Sequence, residues 1–195
     1  MKRILDIVFS FIILLFFLPL GIIISIFILF ESKGGVFYLQ KRVGRYGKEF
    51  RIYKFRTMRK NADSAGKLTV GMHDPRITTI GYFLRKFKLD EFPQFLNVLK
   101  GEMSVVGPRP EVKEYVDLYS ESQREILNVR PGITDLASLE YFEENELLGR
   151  SSDPQKTYIE EIMPAKILLN KKYSENPTVF QDLKIIWATF RRIIR

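Results

Sequence analysis

The sequence contains no cysteine and a single histidine, His73, among its 195 residues. The lack of cysteine excludes disulfide bonds and thiolate metal sites, and one histidine argues against a zinc site of the usual kind. Any metal would therefore be a hard cation on carboxylates, such as Mg²⁺. The sequence also lacks a Walker loop, a Gly-x-Gly-x-x-Gly fingerprint and a nucleophile elbow.

Basic residues outnumber acidic ones, 31 to 23, which gives a formal net charge of +8. A basic soluble chain suggests nucleic acid as a partner, whereas a basic chain with a membrane segment suggests anionic headgroups or phosphorylated substrates. The length allows one domain with a modest core once the first thirty residues are set aside.

Residues 7–30 carry no charge and are mostly Ile, Leu and Phe. As a helix this run would measure about 36 Å, longer than the roughly 30 Å hydrocarbon core of a bilayer. A signal peptide is disfavoured because the run is long and no small-residue cleavage site follows it. A spanning helix and a re-entrant hairpin both remain.

The hairpin interpretation rests on Pro19 and on the flanking charges. A proline inside a helix removes a backbone hydrogen bond and kinks the helix, and each half of this run would be about 17 Å long. Lys2 and Arg3 precede the run, and residues 32–60 contain ten basic residues against one acid. By the positive-inside rule both ends favour the cytoplasm, but the residues alone leave the alternatives open.

The rest of the chain predicts an α+β fold that is mostly helical. Residues 36–56 are typical of a β-hairpin around a turn at 44–47. Periodic segments predict helices at 78–89, 91–100, 111–128, 141–148, 155–173 and 179–195. We therefore divide the chain into a membrane segment, 1–34, and one domain, 35–195.

The last predicted helix, 179–195, is both apolar and basic. Its apolar side carries Leu183, Ile186, Trp187, Phe190 and Ile194, beside Lys184, Arg191, Arg192 and Arg195. This pattern is typical of a helix that lies in the headgroup layer. A helix that packs into the core with one solvated face is the alternative.

Asp90 and Glu91 are adjacent carboxylates between two predicted helices. Asp90 is a good N-cap residue, so a capping role is the simplest interpretation. The basic residues Arg85, Lys86 and Lys88 precede the pair. We expect their charges to keep Asp90 ionised, so that it could hold Mg²⁺ or attack phosphorus.

Two arginines lie on rigid turns. Arg109 stands between Pro108 and Pro110, and Arg130 precedes a Pro-Gly pair. Proline fixes φ, and an arginine held at one angle suits bidentate contact with phosphate. A stiff loop with a solvated arginine is the alternative, but two such arginines and an acidic pair in one small domain favour a phosphate site.

Seven stretches, in this order, resemble the bacterial sugar transferases that are small monotopic phosphoglycosyl transferases. They are Lys2-Arg3-x-x-Asp6, Phe37-Tyr38-x-Gln40-x-Arg42-Val43-Gly44, Phe50-x-Ile52-Tyr53-Lys54-Phe55-Arg56-x-Met58, Asp74-Pro75-Arg76-Ile77-Thr78, Leu89-Asp90-Glu91-x-Pro93-Gln94-x-x-Asn97-Val98, Met103-Ser104-Val105-Val106-Gly107-Pro108-Arg109-Pro110 and Arg130-Pro131-Gly132-Ile133-Thr134. No single stretch would be specific, but the ordered set is.

The resemblance implies an enzyme that moves a sugar 1-phosphate from a UDP-sugar to undecaprenyl phosphate and releases UMP. It implies Mg²⁺, held by Asp90, and a covalent phosphosugar intermediate on Asp90, with Glu91 positioning the metal or the acceptor phosphate. Arg85, Arg109 and Arg130, with Pro108 and Pro110, would bind the substrate's phosphates.

The resemblance also implies where such an enzyme works. It would begin a surface glycan (a polysaccharide, O-antigen or glycoprotein glycan) at the cytoplasmic face of the bacterial inner membrane, held by a re-entrant hairpin that breaks at Pro19. Its partners would be the UDP-sugar, undecaprenyl phosphate and membrane lipid, with no nucleic acid, and self-association is left open.

Two departures from the family pattern limit what the resemblance implies. Many members have Ser-Pro at the hairpin break, where this chain has Leu18-Pro19. After Thr134 many members read Gly-x-Ala-Gln-Val-Asn-Gly-Arg, where this chain has residues 135–141 as Asp-Leu-Ala-Ser-Leu-Glu-Tyr. Because that region is expected near the sugar, the resemblance does not specify which UDP-sugar is used.

Overall fold

The computed structural model describes residues 1–60, 62 and 74–194. Its strands are β1 Phe37–Val43, β2 Glu49–Phe55, β3 Ser104–Val106 and β4 Gly132–Thr134. Its α-helices are α1 Lys2–Glu31, α2 Thr79–Lys86, α3 Gln94–Lys100, α4 Lys113–Val116, α5 Glu121–Arg124, α6 Leu136–Glu140, α7 Glu144–Gly149, α8 Pro154–Thr157, α9 Met163–Glu175 and α10 Val179–Ile194. His73 and most of the polar loop before it lie outside the described residues.

The predicted β-hairpin is confirmed. β1 and β2 pair antiparallel, from Phe37 opposite Phe55 to Val43 opposite Glu49. The turn between them contains Gly47 at φ 73°, a conformation that glycine adopts without a steric penalty. Ile52 is buried in β2, and Lys54 lies two residues further on the same side of the strand.

A second sheet, which the sequence did not predict, joins two distant segments. β3 and β4 are three-residue strands that pair in parallel. Their backbones approach so closely that a Cβ atom on Gly132 would lie 2.1 Å from the backbone nitrogen of Gly107. Strands of three residues are too short to show a periodic pattern in the sequence. The two glycines are therefore the only sequence feature that indicates the pairing of β3 with β4.

Most predicted helices are confirmed, with one clear exception. Gly101 ends α3 at φ 89°, as expected of a helix C-terminus. The predicted helix at 111–128 is wrong, because the segment divides into α4, α5 and a 3₁₀ turn. Ser120 and Gln123 form a capping box that starts a new helix in the middle of the segment.

The apolar run forms α1, which is assigned as one helix with Pro19 inside it. Within the described part of the chain, α1 is the one helix long and apolar enough to cross a membrane. It packs against the rest of the protein along its whole length, through Asp6, Ser10, Phe17, Ile24 and Ile28. Because α1 continues through Pro19, the predicted break between two helices stays a prediction.

Both ends of α1 bind the rest of the protein. At its start, Lys2 Nζ forms an ion pair with Asp182 of α10, and the Asp6 carboxylate accepts hydrogen bonds from Ser104 Oγ at 2.8 Å and from the Val105 N–H at 3.1 Å. At its end, the Glu31 carboxylate accepts hydrogen bonds from the first N–H groups of α2.

The remaining surface of α1 exposes large apolar side chains, which indicates association with a membrane.

The predicted helix at 179–195 corresponds to α10. Its buried side contains Asp182 and Ile185, while four of the five apolar residues singled out in the sequence are exposed: Leu183, Trp187, Phe190 and Ile194. An unburied apolar face beside arginines favours the headgroup-layer interpretation over the core-packing one.

Candidate active site

The two acidic residues lie in a 3₁₀ turn, Leu89–Glu91, between α2 and α3. Lys88 enters this turn in the left-handed conformation, at φ 54°. Asp90 is only 7% exposed and lies inside the turn. The capping interpretation is wrong, because Pro93 is the N-cap of α3 and no side chain caps that helix.

Glu91 binds two cations. Arg109 Nη1 donates to Glu91 Oε2 at 3.1 Å, and Arg109 Nη2 donates to Oε1. Lys54 Nζ, from β2, donates to the same Oε1 at 3.0 Å. We call Lys54, Glu91 and Arg109 the ion cluster. It joins β2, the 3₁₀ turn and the Gly-Pro-Arg-Pro loop around one carboxylate.

Asp90 has a different environment from its neighbour. None of the described residues donates a hydrogen bond to its carboxylate, although the charges of Lys54, Arg85 and Lys88 act on it. Burial, and then the charge of Glu91, raise the pKa of Asp90, and the three cations offset only part of this. Burial thus opposes the ionisation that the neighbouring cations favour, and the expectation that Asp90 stays ionised at neutral pH stays a prediction.

The pKa of Glu91 moves the opposite way. Burial alone would raise it, but the charges of Arg109 and Lys54, with the Arg109 hydrogen bonds, hold it well below its ordinary value. Two adjacent carboxylates with oppositely shifted pKa values are suited to different roles. The two cations favour the ionised form of Glu91, while Asp90 accepts no hydrogen bond from the described residues.

Asp135, which precedes α6, fixes the loop that carries Arg109. This fully buried carboxylate accepts hydrogen bonds from the Arg109 backbone N–H at 2.7 Å and from Asn170 Nδ2 at 3.0 Å. It also caps α6 through the Ser138 N–H. Asp135 is one of the residues that depart from the family pattern, and it acts here on the backbone of the loop.

Of the other two arginines predicted to bind phosphate, Arg85 acts on the acidic pair and Arg130 contacts a different part of the protein. Arg85 donates to Thr57 Oγ1 at 2.9 Å, and its charge acts on Asp90. Arg130 donates instead to the Gly101 carbonyl at 3.0 Å, at the far end of α3. No described contact brings the Arg130 side chain to the acidic pair, so its binding role stays a prediction.

The two proline-rich turns lie side by side. The Pro108 carbonyl accepts a hydrogen bond from the Gly132 N–H at 3.0 Å, and the Pro110 carbonyl accepts from Arg42 Nη1 at 3.3 Å. Both prolines therefore position the loop through their backbone carbonyls.

Sequence reasoning missed Lys54 and Asp135 as site residues. Lys54 had a readable signal, because it shares one side of β2 with Phe50 and Ile52, and a lysine on an inward side needs a buried anion. The only sequence signal for Asp135 was its position after a predicted turn. That position does not distinguish it from any other helix-capping residue.

The residues at the site fit a Mg²⁺ ion that is bound by a single protein carboxylate. Within the described ranges, no three carboxylate or histidine side chains cluster so as to enclose a metal. Mg²⁺ commonly binds one or two carboxylates and completes its shell with water and substrate phosphates. Asp90 offers such a carboxylate, whereas both oxygens of Glu91 are occupied by cations.

Comparison with known proteins assigns the family. The model of the family described as bacterial sugar transferase matches residues 1–195, the whole chain. The chain belongs to the bacterial sugar transferase family.

Three relatives illustrate what this chain is similar to. It is 37% identical to the UDP-N-acetylgalactosamine-undecaprenyl-phosphate N-acetylgalactosaminephosphotransferase of Aeromonas hydrophila, over 99% of this chain and 43% of that protein. It is 34% identical to the exopolysaccharide production protein ExoY of Rhizobium meliloti, over 96% and 83%. It is 37% identical to the UDP-glucose:undecaprenyl-phosphate glucose-1-phosphate transferase of Klebsiella pneumoniae, over 96% and 39%. The chain thus spans less than half the length of two of these relatives.

The raised pKa of Asp90 predicts that Asp90→Asn stabilises this sugar transferase at neutral and alkaline pH. A carboxyl whose pKa is raised on folding contributes stability at low pH, and that contribution is lost as the pH rises through the folded-state pKa. Thermal unfolding in detergent with a chelator should show a higher midpoint for the variant at pH 8, by about 2–4 °C per kcal/mol. The difference should disappear at acidic pH.

Asp117→Asn is the control, because Asp117 is exposed and should show no such pattern. A wild-type protein that is more stable than Asp90→Asn at pH 8 would mean that the cations stabilise the Asp90 charge after all.

The contact between Asp135 and the Arg109 loop predicts that Asp135→Asn slows sugar transfer about tenfold, as is common for residues that support a catalytic group indirectly. An asparagine presents one NH₂ group, which would face a backbone N–H or the Asn170 amide, and both of these are donors. Steady-state rates of sugar transfer measure the effect.

Asp153→Asn is the matched control, because Asp153 caps α8 in the same way and no described contact joins it to a site residue. Equal losses in both variants would reduce the role of Asp135 to helix capping.

Proposed function

We propose that this protein transfers a sugar 1-phosphate from a UDP-sugar to undecaprenyl phosphate, releases UMP, and thereby begins a surface glycan. The observation that carries the proposal is the contrast within the acidic pair: a buried Asp90 without a hydrogen-bonding partner among the described residues stands beside a Glu91 bound by two cations. The names of the Aeromonas and Klebsiella relatives support the donor and acceptor classes.

In the first displacement an oxygen of Asp90 attacks the β-phosphorus of the UDP-sugar. The new bond joins Asp90 to the phosphorus, the bond from that phosphorus to the bridging oxygen breaks, and UMP leaves with the oxygen. Because no donor among the described residues binds the Asp90 carboxylate, its lone pairs are available for this attack. The product is a phosphosugar ester on Asp90.

In the second displacement a phosphate oxygen of undecaprenyl phosphate attacks the same phosphorus. The ester bond to Asp90 breaks, the carboxylate returns, and a sugar-diphosphate lipid forms. Dividing the transfer in two lets one small site serve a soluble nucleotide sugar and a membrane lipid in turn.

Charge at the site opposes the charge of the reacting phosphates. Arg109 uses one N–H of each terminal nitrogen on Glu91, and its side chain is 34% exposed, so further N–H groups can face a phosphate. Arg85 and Lys54 add positive charge near Asp90. Mg²⁺ bound by Asp90 and the substrate's phosphate oxygens would neutralise further charge in the transition state.

We place the enzyme at the cytoplasmic face of the inner membrane, with α1 entering the bilayer and returning near Pro19. A spanning helix has its ends on opposite sides of the membrane, about 30 Å apart. Here Lys2 binds α10 and Glu31 binds α2, so both ends of α1 are held by the domain that follows it in the chain. This supports a re-entrant segment over a spanning one.

The reaction predicts that the purified protein in lipid releases UMP from a UDP-sugar, given Mg²⁺ and undecaprenyl phosphate. A panel of UDP-sugars should be screened by direct identification of the nucleotide product. Asp90→Asn should lose at least about 10³-fold in rate, since no amide can replace the nucleophile. Release of UDP would instead indicate a glycosyltransferase, and full activity of Asp90→Asn would exclude Asp90 as the nucleophile.

The topology predicts that both ends of α1 are accessible from one side of the membrane. Because the chain contains no cysteine, single Lys2→Cys and Lys33→Cys variants can be labelled without background. An impermeant maleimide should label both from the cytoplasmic side in inverted vesicles and neither in spheroplasts. Labelling of Lys2→Cys from the periplasm alone would show that α1 spans the bilayer.

A further inference from the structure

Phe142, in the segment between α6 and α7, lies close to two cations from distant parts of the chain. Lys88 Nζ is 5.1 Å from the centroid of its ring, and Arg192 Cζ is 5.3 Å from the same centroid. Both distances are measured to the same ring centroid. The distance between the two cations therefore cannot exceed the sum of the two distances. Two like charges at one ring repel each other, and an anion between them would relieve that repulsion.

Lys88 connects this position to the acidic pair. It lies two residues before Asp90, and its charge acts on both Asp90 and Glu91. Its left-handed backbone, unusual for a residue with a side chain, directs the chain into the 3₁₀ turn that carries them. An anion bound beside Lys88 would therefore lie next to the reacting carboxylate.

Arg192 connects the same position to the membrane surface. It lies in the last turn of α10, whose exposed apolar face includes Trp187 and Phe190. If that face contacts acyl chains, the Arg192 guanidinium lies at the level of the lipid headgroups. Its ion pair with Glu143 is 3.7 Å long and largely exposed, so an incoming anion could replace it at little cost.

We propose that Lys88, Phe142 and Arg192 form the docking position for the phosphate of the membrane-embedded acceptor, a polyprenyl phosphate. This inference rests on the proposed function for the acceptor's role and adds the residues that receive it. A phosphate monoester carries about −1.5 to −2 charges near pH 7, which suits two cations better than the single charge of a phosphodiester headgroup. Phe142 brings both cations to one ring.

The position also fits the second displacement. An acceptor that arrives as a dianion needs no proton removed before it attacks. Its phosphate oxygen bonds to phosphorus, the ester bond to Asp90 breaks, and the electron pair returns to the carboxylate. Arg192 and Phe142 act before this step, on binding, so they are positioning residues.

The test separates the two half-reactions with the full-length protein in nanodiscs. The first is UMP release in a single turnover without acceptor, and the second is the decay of the phosphosugar-enzyme after undecaprenyl phosphate is added. Arg192→Gln and Phe142→Leu should each raise the half-saturating acceptor concentration about tenfold, the loss expected for one charge-assisted contact. Neither should change the first half-reaction.

Arg191→Gln is the matched control, because it removes the same charge from the neighbouring position of α10 and no described contact joins Arg191 to Phe142. Equal effects of Arg191→Gln and Arg192→Gln would overturn the proposal in favour of general attraction to the membrane. A slower first half-reaction in Phe142→Leu would also overturn it, by assigning Phe142 to support of the acidic pair.

A binding measurement keeps the inference independent of the covalent mechanism. Without UDP-sugar, undecaprenyl phosphate should raise the thermal midpoint of the wild-type protein more than undecaprenol, phosphatidylglycerol or inorganic phosphate does. Arg192→Gln should lose this difference and Arg191→Gln should keep it. If no phosphosugar-enzyme forms but this pattern holds, the covalent mechanism fails and the docking position stands; equal stabilisation of all three proteins refutes the docking position.

Discussion

The ion cluster of Lys54, Glu91 and Arg109 is the contact on which the arrangement of the site depends. Burying a charge costs several kcal/mol unless it is paired, and removing one partner of a buried pair costs about 3–5 kcal/mol. Glu91 is paired twice, so three segments far apart in sequence must meet before all three charges have a partner. The cluster also carries one excess positive charge, near Asp90, whose carboxylate accepts no hydrogen bond from the part of the chain that the structure describes.

The membrane segment and the site share one framework. Phe17 of α1 stacks on Phe92, at 4.1 Å between ring centroids, immediately after the 3₁₀ turn. Ile24 and Ile28 pack with Phe55 and Leu84, near the end of β2 and in α2. The elements that carry Lys54, Arg85 and Asp90 therefore pack on the apolar helix, and this fixes the position of the acidic pair relative to α1.

The sequence predicted those parts of the fold whose information is local. The hairpin, α3 with its terminal glycine, the apolar helix and the amphipathic α10 each follow from periodicity and end signals within one segment. The β3–β4 contact does not, because strands of three residues have no measurable period and their pairing depends on the close approach of Gly107 and Gly132. The break at Ser120 was local but competed with a charged pattern that resembled one long helix.

The site followed the same rule. Asp90, Glu91, Arg85 and Arg109 could be selected by residue type and turn rigidity. The opposite environments of the two carboxylates could not, since burial of Asp90 and the double pairing of Glu91 arise only when β2 and the Gly-Pro-Arg-Pro loop pack around the turn. The role of Asp135 could not be predicted from the sequence either, because its partners Arg109 and Asn170 lie 26 and 35 residues away.

The contacts at the start of α1 set an order of events during synthesis. Lys2 and Asp6 leave the ribosome before their partners, because Asp6 meets Ser104 98 residues later and Lys2 meets Asp182 180 residues later. The apolar helix is thus available to lipid while most of its protein partners do not yet exist. Insertion of α1 can precede assembly, and α10 can pack against α1 only after the segments between them have been made.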